Sequence, residues 1–271
     1  FPHSKTDRYR TVFSGPALLP KLYDGRNRTF FTYGNEYMTN RNPGSGFHTV
    51  PTVRQREGDF SELLRAGSQY QIYDPATIAA APGGRFSRQP LPGNIIPRNR
   101  LDPVAQNLLS YYPLPNQAGT VDGRNNFSLP PTNIIDWSSH MARVDQVISD
   151  RQRIYGSFSM SRVYADQGRS YRNTGLGQIQ DNPTRSFALD DVLTLRPNLV
   201  VNLRAGFNRI DNSSYPVSAG TDLAALGFSN RLVSQIPPGL RSLPTITIQG
   251  FGGLNGNNFG LQPRTFTTTG G

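Results

Sequence analysis

The residues of this chain that could do chemistry are few. Asp190 and Asp191 are adjacent, and Asp136 stands apart from them. Paired carboxylates can hold cations or sugar hydroxyls. On an extended strand, however, neighbours point to opposite faces, so one aspartate of the pair must face each side. The three histidines, His3, His48 and His140, are far apart, and none sits beside a carboxylate at ligand spacing. No Gly-x-Ser-x-Gly elbow and no Gly-x-x-x-x-Gly-Lys phosphate loop occurs. The glycine-rich run at 250–256 lacks the aspartates of calcium-binding repeats and reads as a flexible loop. Cysteine is absent, which excludes a disulfide framework and a thiolate metal site. No catalytic residue, metal or cofactor is expected, and the chain does not read as an enzyme.

The elements around these residues are more telling. Residues 142–148 and 154–164 are strand-like runs joined by Ser149-Asp150-Arg151-Gln152. Residues 187–195 and 199–209 are joined by Arg196-Pro197-Asn198. Alternation is clearest in the last of these runs. Leu199, Val201, Leu203, Ala205 and Phe207 share one face, and Val200, Asn202, Arg204, Gly206 and Asn208 the other. If Leu189, Leu193 and Leu195 face lipid, Asp191 shares their face and belongs near a membrane rim. Residues 8–18 and 29–37 form a hairpin candidate around Asp24-Gly25. Arg264–Thr269 begins another strand. Between the hairpins lie long polar segments, 39–134 and 215–262. Within the first, 52–64 predicts a helix that breaks at Gly58. Residues 102–112 predict another, capped by Asp102 and opened by Pro103. Within the second, 223–226 predicts a helical turn and 245–248 a short strand.

Tight turns at one end and long loops at the other are what an outer-membrane barrel requires. Hydrophobic residues make up 35% of the 271-residue chain, below the usual 45–50% or so. With 27 glycines and 22 prolines, turns and loops outweigh any large soluble core. No run of about 18 apolar residues exists, so a transmembrane helix is excluded, although a barrel is not. The net charge of +10 rests almost wholly on arginine, Lys5 and Lys21 being the two lysines. The arginines are scattered rather than clustered, which argues against nucleic acid and suits a polar lumen or anionic surface lipid. Trp137 and Tyr155 suit either a membrane interface or a soluble core. The chain opens on Phe1-Pro2-His3 and closes on Thr269-Gly270-Gly271, and both ends read as cut from something longer.

Several blocks also resemble one family in order and spacing. They are residues 21–31 (Lys-Leu-Tyr-Asp-Gly-Arg-Asn-Arg-Thr-Phe-Phe), 50–61, 72–75 (Ile-Tyr-Asp-Pro), 92–105, 112–116, 143–146 and 149–156. Together they resemble the Oar-like TonB-dependent outer-membrane receptors abundant in Acidobacteria, over roughly residues 10–210. The resemblance implies a plug-and-barrel transporter of about 22 strands, energised through the TonB system. Against that pattern the chain is expected to be the first part of the barrel, without the family's plug, TonB-contacting segment and last strand. The expectation is therefore an all-β fold over 1–271. It is part of an antiparallel transmembrane barrel, about seven strands, whose extracellular loops carry short helices.

In that frame Leu199, Val201, Leu203 and Phe207 face lipid, while Asn202, Arg204 and Asn208 face the lumen. The partners are outer-membrane lipid, the TonB system through the missing plug, and an unknown extracellular ligand, with no nucleic acid. The Tyr, Asn and Arg of the loops suit a sugar or a peptide. A soluble or surface β-sandwich that binds carbohydrate or acts as an adhesin is the alternative.

Overall fold

A computed structural model of the protein describes residues 3–44, 46–255 and 264–270, the last seven by backbone alone. One antiparallel sheet dominates it. Its strands are β1 (Lys5–Pro16), β2 (Thr29–Pro43), β3 (Thr132–Ser149), β4 (Gln152–Gln167), β5 (Gln178–Arg196), β6 (Leu199–Asp211), β7 (Ser213–Pro216) and β8 (Arg264–Gly270). Neighbours in sequence are neighbours in the sheet, β1-β2-β3-β4-β5-β6-β8, and the sheet is open. β7 pairs with β5 and continues β6 in the same register, since Thr184 faces Ile210 and Asp181 faces Ser213. Pro183, which cannot donate to a ladder, falls at the gap between β6 and β7.

The tight turns are where the turn residues predict them. Asp150-Arg151 joins β3 to β4, and Pro197-Asn198 joins β5 to β6. Each is followed or preceded by a shift of register, at Gln152/Arg153 and at Thr194/Arg196. The β1–β2 connection lies at the same end and carries a small ladder of Leu18–Leu19 with Tyr23–Asp24. The long connections all leave from the opposite end.

The strands run further than their alternation predicts. β3 begins at Thr132, ten residues before the apolar alternation, and β5 begins at Gln178, nine before. At 18 and 19 residues they exceed the 9–11 or so that cross a bilayer. Other expectations change less. The helix at 52–64 is α1 (Val53–Arg56), closed by a capping box between Thr52 and Gln55, and it stops at Gly58, whose φ is +85°. A 3-10 turn, Ser61–Arg65, follows. The helix at 102–112 is α2 (Pro103–Leu109), with Asp102 accepting from the Ala105 amide at 3.0 Å. The strand expected at 245–248 is a single bridge, Ile246 to Leu254. Residues 223–226 lie in a turn, and a helix that the pattern did not announce, α3 (Asn230–Val233), follows it.

The buried core is not under the sheet. It lies among the long connections, where Val50, Tyr112, Phe127, Tyr171 and Leu254 pack together. These residues come from three connections: 44–131, 168–177 and 217–255. Backbone and side-chain bonds stitch the three into one cap. The Asn173 amide donates to the Tyr111 carbonyl at 2.8 Å, the Gly252 N–H to Thr49 at 2.8 Å and the Asn255 N–H to Gly175 at 2.8 Å. Buried asparagines replace a missing ladder inside the cap. Asn126 both donates to and accepts from the backbone of Val50, at 2.8 Å each way. Asn94, fully buried and with φ +61°, accepts from the Ile72 N–H at 2.6 Å and donates to the Phe60 carbonyl at 2.9 Å. Asparagine is among the few residues that adopt this backbone readily.

Candidate functional site

The ladder register sorts the side chains of the sheet into two faces. Phe13, Tyr33, Ala142, Phe158, Phe187 and Phe207 form one row across β1 to β6. The next row toward the tight turns holds Phe31, Val144, Gly156, Leu189 and Ala205. Leu199, Val201, Leu203 and Phe207 all lie on this apolar face. Leu203 is 61% exposed and Phe207 40%, so among the described residues no second layer buries them. Asp191 shares the face, beside the tight-turn rim, where the Gln152 amide donates to both its oxygens at 3.0 and 3.2 Å.

The opposite face is polar. Asn202, Arg204 and Asn208 lie on it with Ser157, Ser159 and Ser186. Asp190 is buried there and paired with Arg204 at 2.6 Å. Arg143 grips Asp145 at 2.6 Å and lies 3.7 Å over the Tyr155 ring. Tyr155 and Trp137 both belong to this polar face by register. They therefore occupy neither the apolar band nor a soluble core. Their strand positions are one residue out of phase with the aromatic row.

Toward the long connections the apolar face becomes ionic. Arg41 pairs with Asp136 at 2.7 Å, and Thr39 donates to the same carboxylate at 2.7 Å. Arg162 pairs with Asp181 at 2.6 Å. The three aspartates of the sequence reading thus stay apart, and each is taken by a local partner. The histidines do not converge either. His48 meets the Tyr171 ring edge-on at 5.5 Å, His140 shares a hydrogen bond with Tyr33 at 3.0 Å, and His3 is exposed. Among the described residues no group of three could hold a metal ion.

The cap holds a concavity with apolar walls built between two connections. It has a volume of about 340 Å³ and is lined by Phe60, Ile96, Leu101, Leu108, Leu109 and Tyr112 from one connection and Ile246, Ile248 and Phe251 from another. Gln55, Asp102 and Gln106 supply polar groups. Binding pockets commonly combine apolar walls with a few polar groups.

A sequence model of the outer membrane beta barrel domain matches residues 2–270. The chain belongs to that family. It is an outer-membrane protein. No curated protein and no solved structure matches it.

For an outer membrane β-barrel domain, the cap is the part that ordinary water-soluble chemistry must hold together. The Arg56 guanidinium is its tie. It donates to the carbonyls of Leu109 at 3.1 Å, Tyr112 at 2.9 Å and Pro113 at 2.6 Å, just beyond the C-terminus of α2, where cations are favoured. Burial pulls its pKa down from the ordinary arginine value. Burial likewise lowers that of His48, which favours the neutral ring. It raises those of Tyr112 and Tyr171, whose buried hydroxyls have no hydrogen-bond partner among the described residues. The carboxyl of Asp59, bonded by Ser61 and then by Arg54, drops to about 2.

The cleft was missed by reading the sequence of the barrel domain. One signal pointed to it: Ala105, Leu108 and Leu109 form an apolar stripe at helical spacing on α2, and all three line the cleft. The partner residues at 246–251 carry no such periodicity. The glycine-rich run beginning at Gly250 closes the cleft up to Leu254; its members from 256 on lie outside the described residues.

Proposed function

We propose that this barrel domain is part of a TonB-dependent receptor that binds a nutrient at the cap and admits it through the barrel. The observation that carries the reading is a one-layer sheet with an uncovered apolar face, crowned at one end by three connections folded around their own core. A barrel wall in lipid must satisfy its backbone through neighbouring strands and turn apolar side chains outward. Leu199, Val201, Leu203 and Phe207 then meet acyl chains, and Asn202, Arg204 and Asn208 meet a wet interior. Strands beyond β1 and β8 complete the wall. The block-by-block resemblance to the Oar-like receptors supports the TonB-dependent part, with the TonB system acting through a plug. No bond-making chemistry is assigned to the domain.

Between the two ligand classes that suit the loops, the cleft favours a peptide. Its walls are aliphatic and phenyl groups, with amide and carboxyl groups at hand, which fit an apolar side chain and its peptide bonds. A sugar would call for more hydroxyl-binding groups. The test is uptake of a labelled peptide pool by cells making the protein, with and without a working TonB system. TonB-dependent depletion of particular peptides is expected. Equal uptake in both strains removes the import reading, and recovery of the protein in the soluble fraction removes the membrane wall itself.

A further inference from the structure

We infer that the cleft in the cap recognises the amino-terminal end of a peptide whose first side chain is apolar. Asp102 and Gln106 take its ammonium, and Gln55 takes its first carbonyl. The inference rests on the reading that the cleft binds a peptide, and it says which end enters. Among the described residues that line the cleft, Asp102 is the sole charged side chain, and no arginine, lysine or histidine joins it. The arginines near it in sequence or across α2 are engaged elsewhere. Arg56 donates to the carbonyls of Leu109, Tyr112 and Pro113, Arg98 pairs with Glu57 at 3.4 Å, and Arg100 pairs with Asp74 at 2.6 Å. One oxygen of Asp102 accepts from the Ala105 amide at 3.0 Å, and the carboxylate has no ion-pair partner among the described residues.

The open bonds of the cleft give the ligand its class. Gln106 stands one helical turn beyond Asp102 on α2, so the two share a face. Its amide donates to the Arg56 carbonyl at 3.1 Å, which leaves its side-chain oxygen open to accept. Gln55 is arranged the other way. Its side-chain oxygen accepts from the Thr52 N–H at 3.0 Å, and its Nε2 makes no hydrogen bond among the described residues. An ammonium donates and does not accept, so it suits Asp102 and Gln106. A carboxylate in the same place would meet like charge, with no cation to hold it. The first peptide carbonyl would then accept from Gln55. An amino terminus carries its charge on the same carbon as its side chain, so charge and apolar group enter together. The side chain would lie against Leu108, Leu109 and Ile248. At about 340 Å³ the cleft is near the lower limit of small-ligand pockets, so it takes the end of a chain rather than a folded partner.

The test uses the protein extracted from outer membranes in detergent and titrated with phenylalanyl-leucyl-glycyl-lysine amide, which carries a fluorophore on its lysine side chain. A second version of the peptide is acetylated at its amino terminus. A third is acetylated and ends in a free carboxylate. Wild type should bind the first about fivefold more tightly than the second, the size of a good exposed ion pair. The third should bind no better than the second. Asp102→Asn should erase the preference while keeping α2, because asparagine caps a helix as well as aspartate does. Ala105→Phe, which fills the cleft, should abolish binding of all three versions. Heat-modifiable migration on a gel shows that each variant is folded. The inference is overturned if acetylation leaves binding unchanged, if the free carboxylate strengthens it, or if Asp102→Asn keeps the wild-type preference. The two layers of the argument fail separately. No binding of any version, or binding that Ala105→Phe leaves intact, removes the cleft as a peptide site and the inference with it. Binding that Ala105→Phe abolishes but acetylation does not weaken defeats recognition of the amino terminus alone.

Discussion

The wall and the cap of this domain bury their apolar groups by opposite routes. In the wall, Phe158, Phe187, Leu203 and Phe207 stay uncovered by protein, and the buried side chain of note is a carboxylate, Asp190. In the cap, Val50 and Leu254 are completely enclosed and the charged groups lie mostly outside. The wall is ordered by its ladders, and its apolar face is left exposed among the described residues. The cap is ordered by a small core and by asparagine side chains that stand in for ladders. One chain thus answers to two solvents, and the change-over falls within single strands, between Phe187 and Asp181 on β5 and between Ala142 and Asp136 on β3.

The contrast can be broken most sharply at the core of the cap. Leu254→Ala should cost the cap about 2–5 kcal/mol by leaving a cavity. Proteolysis of 44–131 on intact outer membranes should accelerate while the sheet stays heat-modifiable. If wall and cap fail together, they are one cooperative unit and the distinction is lost. In the wall, Leu203→Arg should cost about 2–4 kcal/mol and its neighbour Asn202→Arg no more than about 0.5, measured by urea-dependent folding into lipid vesicles. Equal costs would mean that the two faces see the same medium.

Smaller effects sharpen the picture of the cap. Asn94→Ala should destabilise it by about 1–3 kcal/mol, because the Ile72 N–H and the Phe60 carbonyl lose their buried partner. Hydrogen exchange at 60–95 should rise with no change in β3–β6. Least of all is the acid response of Asp74. The Arg100 guanidinium, bonded at 2.6 Å, and the Ala76 amide hold its carboxyl at about 2. Against an unfolded value near 3.9, its contribution is complete above about pH 4 and fades as pH falls toward 2. Asp74→Asn should flatten the pH dependence of exchange at 70–100 over that range. An unchanged profile would remove the ion pair from the account.

The wall near the tight turns was legible because strands with one apolar face alternate and turns have their own residue types. Asp150-Arg151, Pro197-Asn198 and the alternation of Leu199 to Phe207 needed nothing else. The outer halves of β3 and β5 were not legible. Asn133 to Met141 mixes apolar and polar residues on both faces, and Gln178 to Ser186 is polar apart from Ile179 and Pro183, so the period that marks a strand vanishes although the ladder continues. Pro183 deepened the disguise, and only the gap in the neighbouring strand explains how it is tolerated. The cap was legible in its pieces alone. Asp102-Pro103 announced α2 and Gly58 the end of α1. The pairing of Tyr112 with Tyr171 and Leu254, across three connections, leaves no mark on local sequence.

The outer halves of β3, β4 and β5 have a mechanical consequence. They carry the sheet beyond the apolar band before the connections begin, so the cap stands on a pedestal of ladder rather than on slack tethers. A sideways load on the cap then reaches the wall as shear along neighbouring strands, spread over many backbone bonds at once.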